Sequence, residues 1–152
     1  MPTHSIEKIL PYTPDQLYKL VSDIESYPKF IPWCEGARII EQDGDAILAD
    51  LIIHFRGVRG KYTSRVILDE PNKEISVELA QGPFHHLYQG WKFNKIAGQG
   101  TRIEFDIDFK LRNFLMEKMV DLMFDTACEK MMDAFTKRAN EIYNPLADSD
   151  LF

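Results

Sequence analysis

The side chains that could carry acid–base, nucleophilic or metal chemistry are few, and their spacing does not suit it. His85 and His86 are adjacent, so in a strand they point to opposite faces and cannot share a metal. Asp106 and Asp108 fall on one strand face, as paired carboxylates do. Arg102, Glu104 and Lys110 share that face, so it reads as a solvated surface. Cys34 has no histidine near it in sequence to act as a base. The chain contains no G-x-S-x-G, no H-E-x-x-H, no glycine-rich phosphate loop and no C-x-x-C. Cys34 and Cys128 lack zinc-ligand spacing and read as free thiols of a reducing compartment. The expectation is no catalytic residue, no metal and no catalytic cofactor.

The apolar residues are more informative. Residues 27–34, YPKFIPWC, crowd Tyr27, Phe30, Ile31 and Trp33 around two prolines. Proline fixes backbone angles and removes a donor, so the stretch is neither a core helix nor a central strand. It is a stiff aromatic loop with two open readings. It either plugs one end of an internal space or forms an exposed patch for a membrane or partner protein. Residues 113–143 carry Met116, Met119, Met123, Met131 and Met132, five of the chain's six methionines. Methionine is flexible and polarizable, so it suits a surface that accommodates varied apolar shapes; it also fills ordinary core. Trp91 and Phe93 share a strand face, Phe55 ends another strand, and Phe105 and Phe109 share a third. They form either an aromatic wall or a plain core.

These residues need elements to place them. The chain of 152 residues is one domain's length and carries a formal net charge of −6. That balance gives no expectation of DNA binding. The N-terminus has no basic stretch followed by an apolar run, and no window is apolar enough to span a bilayer. A cytoplasmic location follows as the expectation. Residues 3–10 read as a strand. Thr13, Pro14 and Gln16 make a helix start with a capping box, and Leu17, Leu20, Val21 and Ile24 extend it over 14–25, with Pro28 as its stop. Between 36 and 111, Asp43-Gly44, Pro71-Asn72, Gly82-Pro83 and Gly98-Gln99-Gly100 separate about six strands. The last alternates strictly from Arg102 to Leu111, with one face buried. From Asn113 to Tyr143 there is no proline or glycine, which predicts one long amphipathic helix capped by Asn113. The tail after residue 145 has no packing pattern and is expected to be mobile. The class is α+β: an antiparallel sheet of about seven strands covered by a C-terminal helix.

Five stretches carry a family resemblance: PYTPDQLYKLVSDIESYPKFIPWC, TSRVILDEP, ELAQGPFHHLYQGWKF, GTRIEFDIDFKLRN and MMDAFTKRANEIY. Over residues 3–145 they resemble the coenzyme Q-binding protein family of the START-like, polyketide cyclase/dehydrase superfamily. The bacterial ribosome association toxin branch looks very similar. The resemblance implies a helix-grip fold, a curved sheet of about seven strands wrapped round the C-terminal helix. It implies a single lipid-binding domain over 1–145 and a tail over 146–152. It implies a non-enzymatic carrier or chaperone for ubiquinone that supports respiration and ubiquinone biosynthesis. Such a carrier would contact the inner face of the membrane, or a respiratory complex, transiently.

A bound isoprenoid quinone needs apolar walls for its tail, at about 0.8 kcal/mol per buried CH2, and donors for its carbonyls. Donor candidates are Tyr27, Tyr62, Arg65 and the Trp33 or Trp91 indole; strand parity leaves Arg65 on either face. Wall and gate candidates are Phe30, Phe55, Phe93, Phe105, Phe109, Met116, Met119, Met123 and Met131. One rival reading is a ribosome-acting protein, for which Lys110, Arg112 and Lys118, or Arg56, Arg59 and Lys61, would supply a local basic patch. A second rival is a polyketide cyclase or dehydratase, on superfamily membership alone.

Overall fold

The computed structural model describes residues 3–55, 57–82 and 84–144, without the side chains of residues 3, 55, 58, 116 and 119–124. Its elements run β1 (Thr3–Leu10), α1 (Pro14–Ser22), a 3-10 helix (Ile24–Lys29), β2 (Cys34–Asp43), β3 (Ala46–Phe55), β4 (Val58–Asp69), β5 (Glu74–Gln81), β6 (Phe84–Ile96), β7 (Gly100–Leu111) and α2 (Phe114–Ile142). The seven strands form one curved antiparallel sheet in the order β1-β7-β6-β5-β4-β3-β2.

Short turns make consecutive strands pair. The Asp43-Gly44 turn joins β2 to β3, with Gly44 at φ +60°, the left-handed geometry that a tight hairpin requires. The exception to sequential pairing is β1, which pairs with β7, Ile6 opposite Phe105. Because β1 and β2 are the two sheet edges, residues 11–33 must cross from one edge to the other. That crossing carries α1 and the aromatic loop over the sheet.

The strict alternation of β7 is realised: Ile103, Phe105, Ile107, Phe109 and Leu111 are buried. The row continues through Trp91 and Phe93 on β6, Ile75 and Val77 on β5, Ser64 and Val66 on β4, and Ile47, Ala49 and Leu51 on β3. This concave face meets the stripe Cys128, Met132, Phe135 and Ala139 of α2, spaced at helical intervals. Burying each large apolar side chain contributes about 1.5–3 kcal/mol. The Asn113 side chain caps α2 by accepting from Leu115 N at 3.0 Å.

Helix α1 begins as expected, with Thr13 and Gln16 in a reciprocal capping box. It ends earlier, at Ser22 and not at 25. Asp23 leaves helical geometry at ψ 71°, and its carboxylate accepts from Ser26 Oγ at 2.6 Å. Such local side-chain bonds compete with the helix. The chain then tightens into the 3-10 helix, and Pro28 sits inside it instead of marking its stop. The tail over 146–152 lies outside the described residues.

Candidate functional site

The loop 27–34 packs inward. Ile31 and Cys34 are buried, and Tyr27, Phe30 and Trp33 are half-buried against the core. The rings of Tyr27 and Phe30 meet Phe135 of α2 edge-on, with centroids 5.5 and 5.3 Å apart. Phe135 also meets Trp91 at 5.5 Å, and Trp91 meets Phe105 at 4.4 Å. Loop, long helix and sheet are thus joined by one run of rings.

Beneath this run is a cavity lined by Val21, Ile24, Tyr27, Leu51, Tyr62, Ser64, Val66, Ile75, Val77, Gln89 and Trp91. Its volume is about 40 Å³, room for about three waters. Register explains the lining. Leu51 is opposite Tyr62, Ala49 opposite Ser64, and Val77 opposite both Val66 and Gln89, so neighbouring strands present these residues to one side. Among the described residues, no charged side chain lines it. The polar residues on its wall are Tyr27, Tyr62, Ser64 and Gln89, and each can donate a hydrogen bond. The Tyr27 hydroxyl already donates to the Val21 carbonyl.

The titratable groups here are held neutral. Burial raises the Tyr27 hydroxyl well above the ordinary phenol value, and neighbouring Tyr62 and Cys34 add to the rise. Burial does the same to Tyr62, with Cys34 again contributing. The Cys34 thiol is raised by burial, opposed by its bond to the Gly36 carbonyl, and burial pushes Cys128 up to about 12. Neither thiol is the low-pKa kind that nucleophilic chemistry uses, and both cysteines are free. A phenol that stays protonated in the native state but titrates near pH 10 when unfolded stabilises the fold fully below about pH 10, and that stability is lost as pH rises above it. Urea midpoints taken from about pH 8 to about pH 11 should therefore fall steeply at the alkaline end, by about 1.4 kcal/mol per pH unit for each such phenol. Tyr62→Phe should flatten that fall, and an unchanged slope would contradict the burial of its hydroxyl.

Of the residues expected from sequence, Tyr27, Tyr62 and Trp91 line the cavity. Phe30, Trp33 and Met131 pack half-buried against the core. Phe105 and Phe109 are buried core, Phe109 against the Phe84 ring at 6.3 Å. Phe93 is also buried core: it stacks on Trp91 and meets Tyr18 of α1 edge-on, so the short helix helps to cover it. Arg65 is corrected: it is exposed, between buried Ser64 and Val66, so strand alternation places it on the outer face. The side chains of Phe55, Met116, Met119 and Met123 lie outside the described residues, as does Arg56. Ser64 and Gln89 were missed. Gln89 had a readable signal, since it shares parity with Trp91 and Phe93.

The other chemical candidates lie on the surface. His86 contacts Asp108 at 3.3 Å, and Asp106 accepts from Ser5 at 2.6 Å, so the two carboxylates serve the outer face separately. Among the described residues, no group of three His, Cys, Asp or Glu is placed to hold a metal. Among them also, no helix is long and apolar enough to cross a membrane.

Comparison with known proteins agrees with the geometry. The family model described as polyketide cyclase/dehydrase and lipid transport matches residues 10–136. The ribosome association toxin RatA of Rickettsia prowazekii is 41% identical over 138 residues, 89% of this chain and 94% of that protein. The mitochondrial coenzyme Q-binding protein COQ10 homolog B of Xenopus laevis is 26% identical over 144 residues, 92% of this chain and 59% of that protein. The crystal structure of the Zhui aromatase/cyclase from a Streptomyces species superposes with a TM-score of 0.83 at 16% identity, covering 91% of this chain and 93% of that one. The fold is thus shared with the aromatase/cyclase structure, and the chain belongs to the polyketide cyclase/dehydrase and lipid transport family.

Proposed function

We propose that this protein is a non-enzymatic binder of a neutral isoprenoid quinone of the ubiquinone class, acting at the cytoplasmic face of a bacterial membrane. The observation that carries the reading is the cavity whose described lining is uncharged and carries hydrogen-bond donors. A fatty acid carboxylate would need a buried cation, because an unpaired charge in a dry space is costly. A quinone is neutral and its ring carbonyls only accept hydrogen bonds. Tyr62, Ser64 and Gln89 are donors in an otherwise apolar wall, which is how small-molecule sites fix orientation. Among the described residues the wall offers no charged group to act as acid or base, which favours carriage over catalysis. The resemblance to a named coenzyme Q-binding protein points the same way.

Ligand pockets measure about 300–1,000 Å³, so a cavity of about 40 Å³ has to widen to take a quinone. The loop and α2 meet through ring contacts, which re-pack more readily than a hydrogen-bonded ladder. Phe30→Ala and Trp33→Ala should accordingly weaken ligand retention more than stability.

The test is titration of delipidated protein with a short-tailed ubiquinone, followed by tryptophan quenching, since Trp91 is on the wall. Gln89→Leu or Ser64→Ala should weaken binding about five- to tenfold, the worth of one hydrogen bond. Saturable quenching that neither variant alters would place the quinone elsewhere.

A second reading rests on a different observation, the 41% identity to a protein named as a ribosome association toxin. Arg38, Arg59, Lys61 and Arg65 lie on the outer side of β2 and β4, where Glu35 and Asp50 pair with three of them. This cluster could meet RNA phosphate. Overproduction followed by sucrose-gradient profiling tests it: fewer assembled ribosomes and more free subunits would support it, and an unchanged ratio would remove it.

A further inference from the structure

Phe114 and Leu115 are the most exposed large apolar residues among those described, at 68% and 73%. They begin α2. Lys110, Arg112 and Lys118 flank them in sequence and are exposed, and Glu117 is the one acidic residue between 110 and 118. The Lys118 ammonium sits 4.9 Å from the Phe114 ring centroid, so cation and ring share one patch. Consecutive residues do not share a long helix face. Phe114 and Leu115 therefore cannot form the i, i+3, i+4, i+7 stripe of a groove-binding helix, but in a first turn they form a tip.

This tip connects to the interior. Arg112 Nε donates to the Phe84 carbonyl at 3.1 Å. The Phe84 ring meets Tyr62 edge-on at 5.7 Å, and Tyr62 lines the cavity. A path of contacts runs from the exposed tip to the cavity wall.

We propose that this tip docks on an anionic membrane surface, with Phe114 and Leu115 entering the acyl boundary and Lys110, Arg112 and Lys118 among the lipid phosphates. The inference rests on the quinone reading, since it places the cavity wall next to the store of an isoprenoid lipid. Charge argues for this occupant. The chain as a whole carries −6 and is repelled by an anionic surface, so the local cations would admit it in one orientation. Two side chains are too few for a protein interface of standard size, about 800 Å² per partner. They suffice for shallow insertion supported by charge.

Flotation with vesicles tests it, using phosphatidylcholine alone and with about one-third phosphatidylglycerol. The full chain should bind the anionic vesicles and bind the neutral ones at least tenfold more weakly. Lys110→Gln with Lys118→Gln should weaken binding to anionic vesicles about 25-fold, at about fivefold for each cation near the surface. Phe114→Ser with Leu115→Ser should lower it at least tenfold, and both substitutions are at exposed positions and should leave the fold intact. Quinone retention, measured in parallel by extraction, should persist in both variants. Loss of vesicle binding with quinone retained supports the docking site. Binding that ignores lipid charge, or that survives either double variant, overturns it, as does a tip that recovers ribosomal subunits but no vesicles. Protein that floats normally yet never holds quinone would refute the quinone reading alone.

Discussion

Trp91→Ala is expected to cost about 3–5 kcal/mol of stability, read as a shift in urea midpoint at an unchanged slope. Trp91 is buried, and its indole is where β6, β7 and α2 converge, touching Phe93, Phe105 and Phe135. Removing it takes away apolar burial and leaves a void beside an existing cavity. The surrounding rings belong to three separate elements and cannot all collapse inward. Trp91→Phe keeps a ring in place and should cost no more than about half as much. A loss below about 1 kcal/mol for the alanine variant would mean that the site relaxes freely, and the described packing would be wrong.

Gly100→Ala should be comparably severe for a backbone reason. Gly100 opens β7 at φ +103°, a conformation that side-chain-bearing residues rarely adopt. A methyl group there would lie 2.2 Å from the Leu10 carbonyl oxygen and 2.9 Å from Pro11 Cα. Both contacts are to backbone, so no side chain can swing aside. The pairing of β1 with β7 ends at Leu10 opposite Thr101, so relief requires opening that edge of the sheet. We expect a loss of about 3–5 kcal/mol, strain and clash together. Gly44→Ala is the control: its φ is +60° with nothing within 4 Å, so only conformational strain applies, about 1 kcal/mol. Equal losses at the two positions would remove the clash argument.

The sequence made some of this architecture legible and hid the rest for physical reasons. The β7 face was readable because polar and apolar residues alternate without a break from Arg102 to Leu111. The β2–β3 turn was readable because Asp-Gly has few alternatives, and α2 because its helical stripe has no breaker. Strand β4 was readable as a strand, but not which way its residues face. Its Val66-Ile67-Leu68 run is apolar on both sides, which masks parity and left Arg65 and Ser64 unassigned. Phe93 was placed on the correct face, but face alone does not say that the short helix helps to cover it; the contact with Tyr18 of α1 does. The end of α1 depended on a bond between the side chains of Asp23 and Ser26, which competes with continuing the helix. Whether YPKFIPWC was plug or patch could not come from composition, since both uses need the same residues. The ring contacts with Phe135 show that it packs against the core. The exposed apolar patch lies elsewhere, at Phe114 and Leu115.

The central claim is that the interior holds a neutral quinone. Organic extraction of protein purified from a ubiquinone-producing host, followed by mass spectrometry, tests it most directly. Ubiquinone is expected at close to one equivalent in the wild-type chain and clearly less in folded Gln89→Leu and Trp33→Ala variants. An extract free of quinone from well-folded wild-type protein would contradict the claim and shift the weight of interpretation to the ribosome.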